Sequence, residues 1–217
     1  MSTFYKRPCT CFVCGNNSDY YVCGSTNVFG CPDLDLRPSE MKRSTMGTWV
    51  HVCPKCGYVS ASVSDPTSVS KEYLRSEEYR SCGGNKFPSR LAELFFRQYM
   101  IRLRDGDKFA AFHAVLHAAW DCDDENDSEN AVLCRKLSLP LLDELLCNAG
   151  EEVGTLLVMK ADIMRRAGLF TDLKREYSSV RPGEKLLEQI LAFELALAEK
   201  EDAACYRVSD VPGVREE

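Results

Sequence analysis

Two short runs, Cys11-Phe12-Val13-Cys14-Gly15 and Cys53-Pro54-Lys55-Cys56-Gly57, constrain this chain more than any other feature. Each is a CxxC followed by glycine. Two residues between the thiols let both sulfurs face one cation, and the glycine permits the positive φ that aims backbone N–H groups at them. Four thiolates at about 2.3 Å around a tetrahedral zinc follow from such a pair of knuckles. One zinc held by Cys11, Cys14, Cys53 and Cys56 is therefore expected. The 38 residues between the knuckles are read as a strand excursion closed by the metal.

The chain has twelve cysteines, eight of them within the first 82 residues. A secreted disulfide framework explains that crowding poorly. The opening MSTFYKRPCTCF has no apolar stretch of signal-peptide length behind it, and 217 residues far exceed a small stapled scaffold. No window approaches the roughly 18 apolar residues of a membrane span. A cytoplasmic protein without a membrane partner is expected, and there clustered cysteines are metal ligands or redox groups. Thioredoxin-like chemistry needs a CxxC at a helix N-terminus, and Gly57-Tyr58-Val59-Ser60 is a poor helix start. Cys9, Cys23, Cys31 and Cys82 are candidates for a second thiolate site or for a substitute ligand, with Cys9 able to replace Cys11. Simple burial is the plainer reading for them, as it is for Cys122, Cys134, Cys147 and Cys205.

Other chemistry-bearing residues give weaker signals. His113 and His117 share a helix face, but the zincin glutamate position is Ala114. His51-Val52-Cys53-Pro54-Lys55-Cys56 lacks the upstream His-x-Glu of nucleobase deaminases. Asp33-Leu34-Asp35-Leu36-Arg37-Pro38 alternates, so a strand there puts both carboxylates on one face and both leucines on the other. Asp33, Asp35 and Arg37 form a candidate functional face, with an edge strand paired inside the ribbon as the structural alternative. The net charge of −6 divides as 10 Lys+Arg against 8 Asp+Glu over residues 1–89 and 17 against 25 over 90–217. That leaves the tail a poor polyanion binder and the front only a weak one.

The expected fold class is α+β, mostly α. Residues 1–65 form a small β-rich, zinc-ribbon-like module, with strands at Tyr20–Val22, Thr26–Phe29 and Thr48–Val52. Residues 66–87 are a connecting helix through Val69, Tyr73, Leu74 and Glu77, then a linker. Residues 88–217 are an irregular helical-hairpin domain of tetratricopeptide-like pattern. Pro88 opens its first helix, with Leu91, Leu94, Phe95, Tyr99 and the Arg102 stem on one face. The second helix turns Phe109, Phe112, Val115, Leu116 and Ala119 inward. Ser128 caps a third that Pro140 should kink or break, and further helices cover Val153–Ala167, Asp172–Ser178 and Glu184 to about Ala204. Gly106 and Gly168 sit at similar inter-helix joints.

Taken in order, CxxCG at Cys11, Asp33 to Pro38, Val52-Cys53-Pro54-Lys55-Cys56-Gly57-Tyr58, Ala118-Ala119-Trp120 and Arg165-Arg166-Ala167-Gly168-Leu169-Phe170 resemble a bacterial family, domain of unknown function 2225. The resemblance covers most of the chain and is most specific at the second knuckle. It implies a metal-binding ribbon joined to a tetratricopeptide-like domain and carries over no catalytic residues. The leading expectation is a non-enzymatic zinc-binding protein whose helical domain engages a protein or peptide. Two alternatives remain. One is a nucleic-acid-binding ribbon using Lys42, Arg43, Lys55 and Tyr58. The other is an enzyme, either thiol-redox through Cys53 and Cys56 or metal-dependent with Asp33, Asp35 or His51 as an open-site ligand.

Overall fold

Strand-forming residues are confined to the front of the chain, and their pairing is local. In the computed structural model, which describes residues 1–214, β1 (Thr3–Thr10) and β2 (Asn17–Ser25) form an antiparallel hairpin with Thr10 opposite Asn17. A second, two-residue hairpin pairs β3 (His51–Val52) with β4 (Val59–Ser60). The fold is α+β and mostly α. β1 is absent from the expected strands because nearly all its residues are exposed, which leaves no alternation to read, and Pro8 sits within it. Thr26–Phe29 lies beyond the end of β2 and outside the named strands.

The expected connecting helix is two short ones, α1 (Lys71–Arg75) and α2 (Glu77–Arg80). Ser76 divides them. Its backbone is extended, and its hydroxyl oxygen accepts from the Tyr79 N–H, so the residue works as an N-cap rather than as helix interior. α3 (Arg90–Asp105) starts two residues later than the proline suggested, with the Ser89 hydroxyl accepting from the Leu91 and Ala92 N–H groups. Gly106 ends α3 in the left-handed region, at φ 77°. Asp107 caps α4 (Lys108–Asp124), which packs on α3. Phe95, Ile101, Phe112 and Val115 are buried there, and Trp120 is only 4% exposed. Phe109, expected inward, is 63% exposed: it lies in the first turn, and the buried face of α4 begins with Ala111 and Phe112.

α5 (Ser128–Leu146) runs without a break through Pro140, so of the expected kink or break the break does not occur. The proline removes a single backbone donor, and the helix continues on both sides of it. α6 (Val153–Arg166), α7 (Phe170–Tyr177) and α8 (Lys185–Glu199) pack on one another around Val158, Ala161, Met164, Leu173 and Leu191. Gly168, at φ 73°, follows α6 as Gly106 follows α3.

The chain gathers into two compact units. The first comprises Met1–Asn27 and Met41–Ala131; the second comprises Val28–Glu40 and Val132–Glu217. These divisions differ from boundaries near residues 65 and 88. Arg102 of α3 binds β4 and the segment after it, donating to the Ser60 hydroxyl oxygen and to the Asp65 carboxylate at 3.3 Å, so the strands and α3–α4 belong together. Residues 28–40 join the helical unit instead, where Leu34 is part of the α6–α8 core.

Candidate metal centre

Both CxxCG runs occupy the turns of the two hairpins, and their backbones repeat the same pattern. In the β1–β2 turn the Cys11 N–H donates to the Asn16 carbonyl at 2.8 Å and the Gly15 N–H donates to the Cys11 carbonyl at 2.9 Å. In the β3–β4 turn Cys53 donates to Tyr58 at 2.8 Å and Gly57 to Cys53 at 2.9 Å. Gly15 and Gly57 both take positive φ, 71° and 77°, and a Cβ at either would meet nothing within 4 Å. Glycine is needed at these positions for backbone conformation rather than for space.

The two turns bring their sulfurs to one point. The Sγ atoms of Cys11, Cys14, Cys53 and Cys56 all lie within 4.8 Å of one another. Across the knuckles, Cys11 Sγ is 3.7 Å from Cys56 Sγ and Cys14 Sγ is 3.6 Å from Cys53 Sγ. A tetrahedron with metal–sulfur bonds of about 2.3 Å has sulfur–sulfur edges of about 3.8 Å. All twelve cysteines are free thiols. The group could hold a metal ion. Cys11 and Cys53 are buried, each 1% exposed, while Cys14 and Cys56 are partly open.

Burial pushes the Cys11 and Cys56 thiols up. At Cys14 burial also acts upward, but the Asn16 backbone and the neighbouring thiols outweigh it and hold the group down at about 7. The supports are a tyrosine, an arginine and a backbone clasp. Buried Tyr79 of α2 donates its hydroxyl to the Gly57 carbonyl at 2.8 Å, Arg102 fixes Ser60 and Asp65, and the Phe12 N–H donates to the Val63 carbonyl at 2.9 Å. Sequence reading placed Tyr79 in no role and Arg102 only as a helix-face stem. No motif marks them, because their partners are main-chain or small polar groups distant in sequence.

The other candidate ligands are engaged elsewhere. Among the described residues, the four-sulfur group excludes Cys9, Cys23, Cys31 and Cys82. Cys9 Sγ faces Ser62 Oγ at 4.0 Å, Cys23 Sγ donates to the Ser25 carbonyl at 3.5 Å, and Cys82 is buried. Cys147 and Cys205 are exposed rather than core residues. His51 has no nitrogen to offer a metal, since Nδ1 lies 2.8 Å from the Ala61 carbonyl oxygen and Nε2 lies 3.0 Å from that of Tyr21. His117 packs against Trp49, Phe95 and Trp120, and His113 against Phe109 and Phe112.

Asp33, Asp35 and Arg37 are a buried set in the second unit, not an exposed face and not an edge strand. Leu36 takes φ 64° in a tight turn closed by the Asp33 N–H on the Arg37 carbonyl at 2.9 Å, which destroys the strand alternation. The three charged residues are at most 4% exposed while Leu36 is 43% exposed. Asp35 accepts from helix arginines: Arg166 Nη1 donates to its Oδ2 at 2.8 Å, and Arg135 Nη2 lies 3.8 Å away, while the Arg37 backbone N–H donates to its Oδ1 at 3.3 Å. Asp33 accepts from the Cys205 thiol at 3.3 Å. Lys55 and Tyr58, named for nucleic acid, also part company: Lys55 is exposed, but Tyr58 is fully buried with its hydroxyl donating to the Asp65 carbonyl. No family model, no curated protein and no solved structure matches the chain.

Proposed function

We propose that Cys11, Cys14, Cys53 and Cys56 hold one zinc ion that closes the two hairpins into a zinc-ribbon module, and that the chain serves as a non-enzymatic adaptor. The observation that carries this reading is the convergence of four sulfurs from two equivalent turns, with cross-knuckle spacings of 3.6 and 3.7 Å. Four thiolates satisfy a tetrahedral ion completely, so the centre offers no position to substrate. Its contribution is folding energy: β3 and β4 pair over only two residues each, too few to hold a turn in water without help. A thiol-redox reading is less well supported, because Cys53 to Cys56 lies between two strands rather than at a helix start.

The helical unit supplies the interaction surface in this reading. An open groove of about 340 Å³ lies between α8 and the 178–182 turn, with Val180, Pro182, Leu191 and Leu195 on its walls. An apolar peptide segment suits it, and the resemblance to domain of unknown function 2225 accords with such a division of labour. The zinc is tested by native mass spectrometry and X-ray absorption on protein purified without added metal. One zinc with four sulfur neighbours at about 2.3 Å is expected; metal-free protein carrying a Cys53–Cys56 disulfide overturns the reading. The partner is tested by peptide-display selection on the full chain, with Leu195→Glu as the control. Failure to select any peptide sensitive to that change removes the adaptor role and leaves the metal intact.

A further inference from the structure

Beside the second knuckle, within the first unit, lies a cavity of about 350 Å³ whose wall carries five cationic side chains. Lys55 comes from the knuckle itself, Lys71 and Arg75 from α1, Arg80 from the end of α2 and Arg97 from α3. Leu74 and Tyr79, both nearly inaccessible, back it with apolar surface. Cys14 and Cys56 complete it on the side of the metal centre. Such a concentration of one charge is unexpected in a chain of net charge −6.

Internal carboxylates do not account for these cations. Lys55, Lys71, Arg75 and Arg80 make no ion pair among the described residues. Glu93 is bonded to Arg97 at 2.5 Å and shared with Arg90 at 2.7 Å. Glu72 lies on α1 outside the wall; its carboxyl is held below its ordinary value by its own backbone N–H and the Ser70 hydroxyl ahead of any contribution from Arg75 or Lys71. Tyr79 sits under the Arg97 guanidinium, 5.5 Å from its ring centre, and the Arg97 Nη2 donates to the Arg80 carbonyl at 2.7 Å, so one arginine of the set is preorganised.

The remaining bland explanation is that the cations offset the thiolates. A zinc held by four thiolates carries two net negative charges. Set against the five cations of the wall, those two charges and Glu93 leave about two positive charges among the groups lining the cavity, with Glu72, near Arg75 and Lys71, outside it; the zinc reading enters only through this count. We infer that the cavity binds a small phosphorylated compound carrying at least two negative charges. Its volume suits a compact ligand, at the small end of the range for ligand pockets. A long polyanion is disfavoured, since its binding needs an extended basic track and the rest of the chain is acidic. Arginine forks and lysine ammonium groups against an apolar floor are the donor set that phosphate oxygens accept from.

The test is isothermal titration calorimetry of the full chain with inorganic pyrophosphate, with zinc counted in the same sample before and after. Binding that weakens as salt is raised is expected. The double variant Lys71→Ala, Arg75→Ala should weaken it at least tenfold. Both side chains are exposed, and unchanged circular dichroism verifies the fold. Lys71→Glu, a single reversal, should weaken it further than Lys71→Ala. Zinc-loaded protein that gives no pyrophosphate binding overturns the site and leaves the zinc reading standing. Binding indifferent to Lys71 and Arg75 places the anion elsewhere and overturns it also. An oligonucleotide that binds and is not displaced by pyrophosphate overturns the assignment to a small ligand. Metal-free protein with the expected pyrophosphate dependence sustains the site and refutes the four-thiolate centre instead.

Discussion

Glu194 of α8 is fully buried, and its replacement by glutamine should leave the protein at least as stable at pH 7 as the native chain. The reason lies in how its two oxygens are served. Oε2 accepts from Arg165 Nε at 2.6 Å, while Oε1 is buried with no hydrogen-bond partner. Asp162 of α6 is in the same position: Oδ1 accepts from Arg165 Nη2 at 2.7 Å, and Oδ2 is buried without a hydrogen bond, 4.0 Å from Arg166 Nη1. The two carboxyls are near enough for their charges to repel. A proton on Glu194 removes that repulsion. Arg165, itself fully buried, spends its other donors on the Asp202 and Ala204 carbonyls.

Burial, followed by repulsion from Asp162, pushes Glu194 up to about 8 despite Arg165; burial and Asp35 push Asp162 up to about 6. An unfolded glutamate titrates near 4.3. The native state therefore keeps a proton that the unfolded chain has released over the interval between those values. The stabilisation is complete below the unfolded value and is lost as pH rises through the native one, at about 1.4 kcal/mol per pH unit from this group. Glutamine presents a neutral amide whose carbonyl can accept from Arg165, and has no proton to lose. Thermal melts followed by circular dichroism between pH 6 and 8 should show the native chain falling relative to Glu194→Gln by about that slope. Trp49 and Trp120 both lie in the first unit, so their fluorescence separates its transition from that of the helical unit. Parallel pH profiles, with the variant weaker by the roughly 3–5 kcal/mol of a broken buried ion pair, would refute the proton retained on Glu194.

Asp35→Asn should cost roughly 3–5 kcal/mol in the same melts, because it removes the fully buried carboxylate that accepts from Arg166 at 2.8 Å and lies 3.8 Å from Arg135. Gly57→Ala meets no steric neighbour but must hold φ near 77°, so a cost of about 1–2 kcal/mol is expected, read as roughly tenfold weaker zinc retention against a chromophoric chelator. Phe109→Ala should change stability by less than about 0.5 kcal/mol, measured by urea unfolding, because its ring is on the surface.

What could be read from the residues was whatever depends on short-range spacing. The knuckles declare themselves because their hydrogen bonds close within six residues, and the ends of α3 and α6 do so because Gly106 and Gly168 stop a helix locally. Phe109 was misread because apolar periodicity alone does not say at which turn a helix meets its core. Pro140 did not end its helix: a lost donor and a crowded preceding turn, together about 3 kcal/mol, are borne within a 19-residue helix. The buried set around Asp35 was invisible for a different reason. Asp35 and Arg166 are separated by 131 positions, and a carboxylate bound for a distant guanidinium looks the same in sequence as a solvated one.

The spacing between the knuckles shows how two motifs can converge while what lies between them goes elsewhere. A single strand excursion within one module would use the 38 residues as ribbon. Instead β2 occupies the first part, and the chain then leaves at Asn27 and returns at Met41, lending Val28–Glu40 to the helical unit. The borrowed loop is closed at its base without any metal: the Met41 N–H donates to the Asn27 carbonyl at 3.2 Å, and the Phe29 N–H donates to the Glu40 carbonyl. Loop closure costs entropy that grows only slowly with length, so a long insertion between two knuckles is tolerated when its own neck is pinned. Inside the loop, the tight turn at Leu36 buries Leu34 and Asp35 together, one in the apolar core and one on arginines. The Asp-x-Asp-x-Arg spacing is thus a fastening for the helical unit. Its proximity in sequence to the cysteines is a consequence of chain threading, not of shared chemistry.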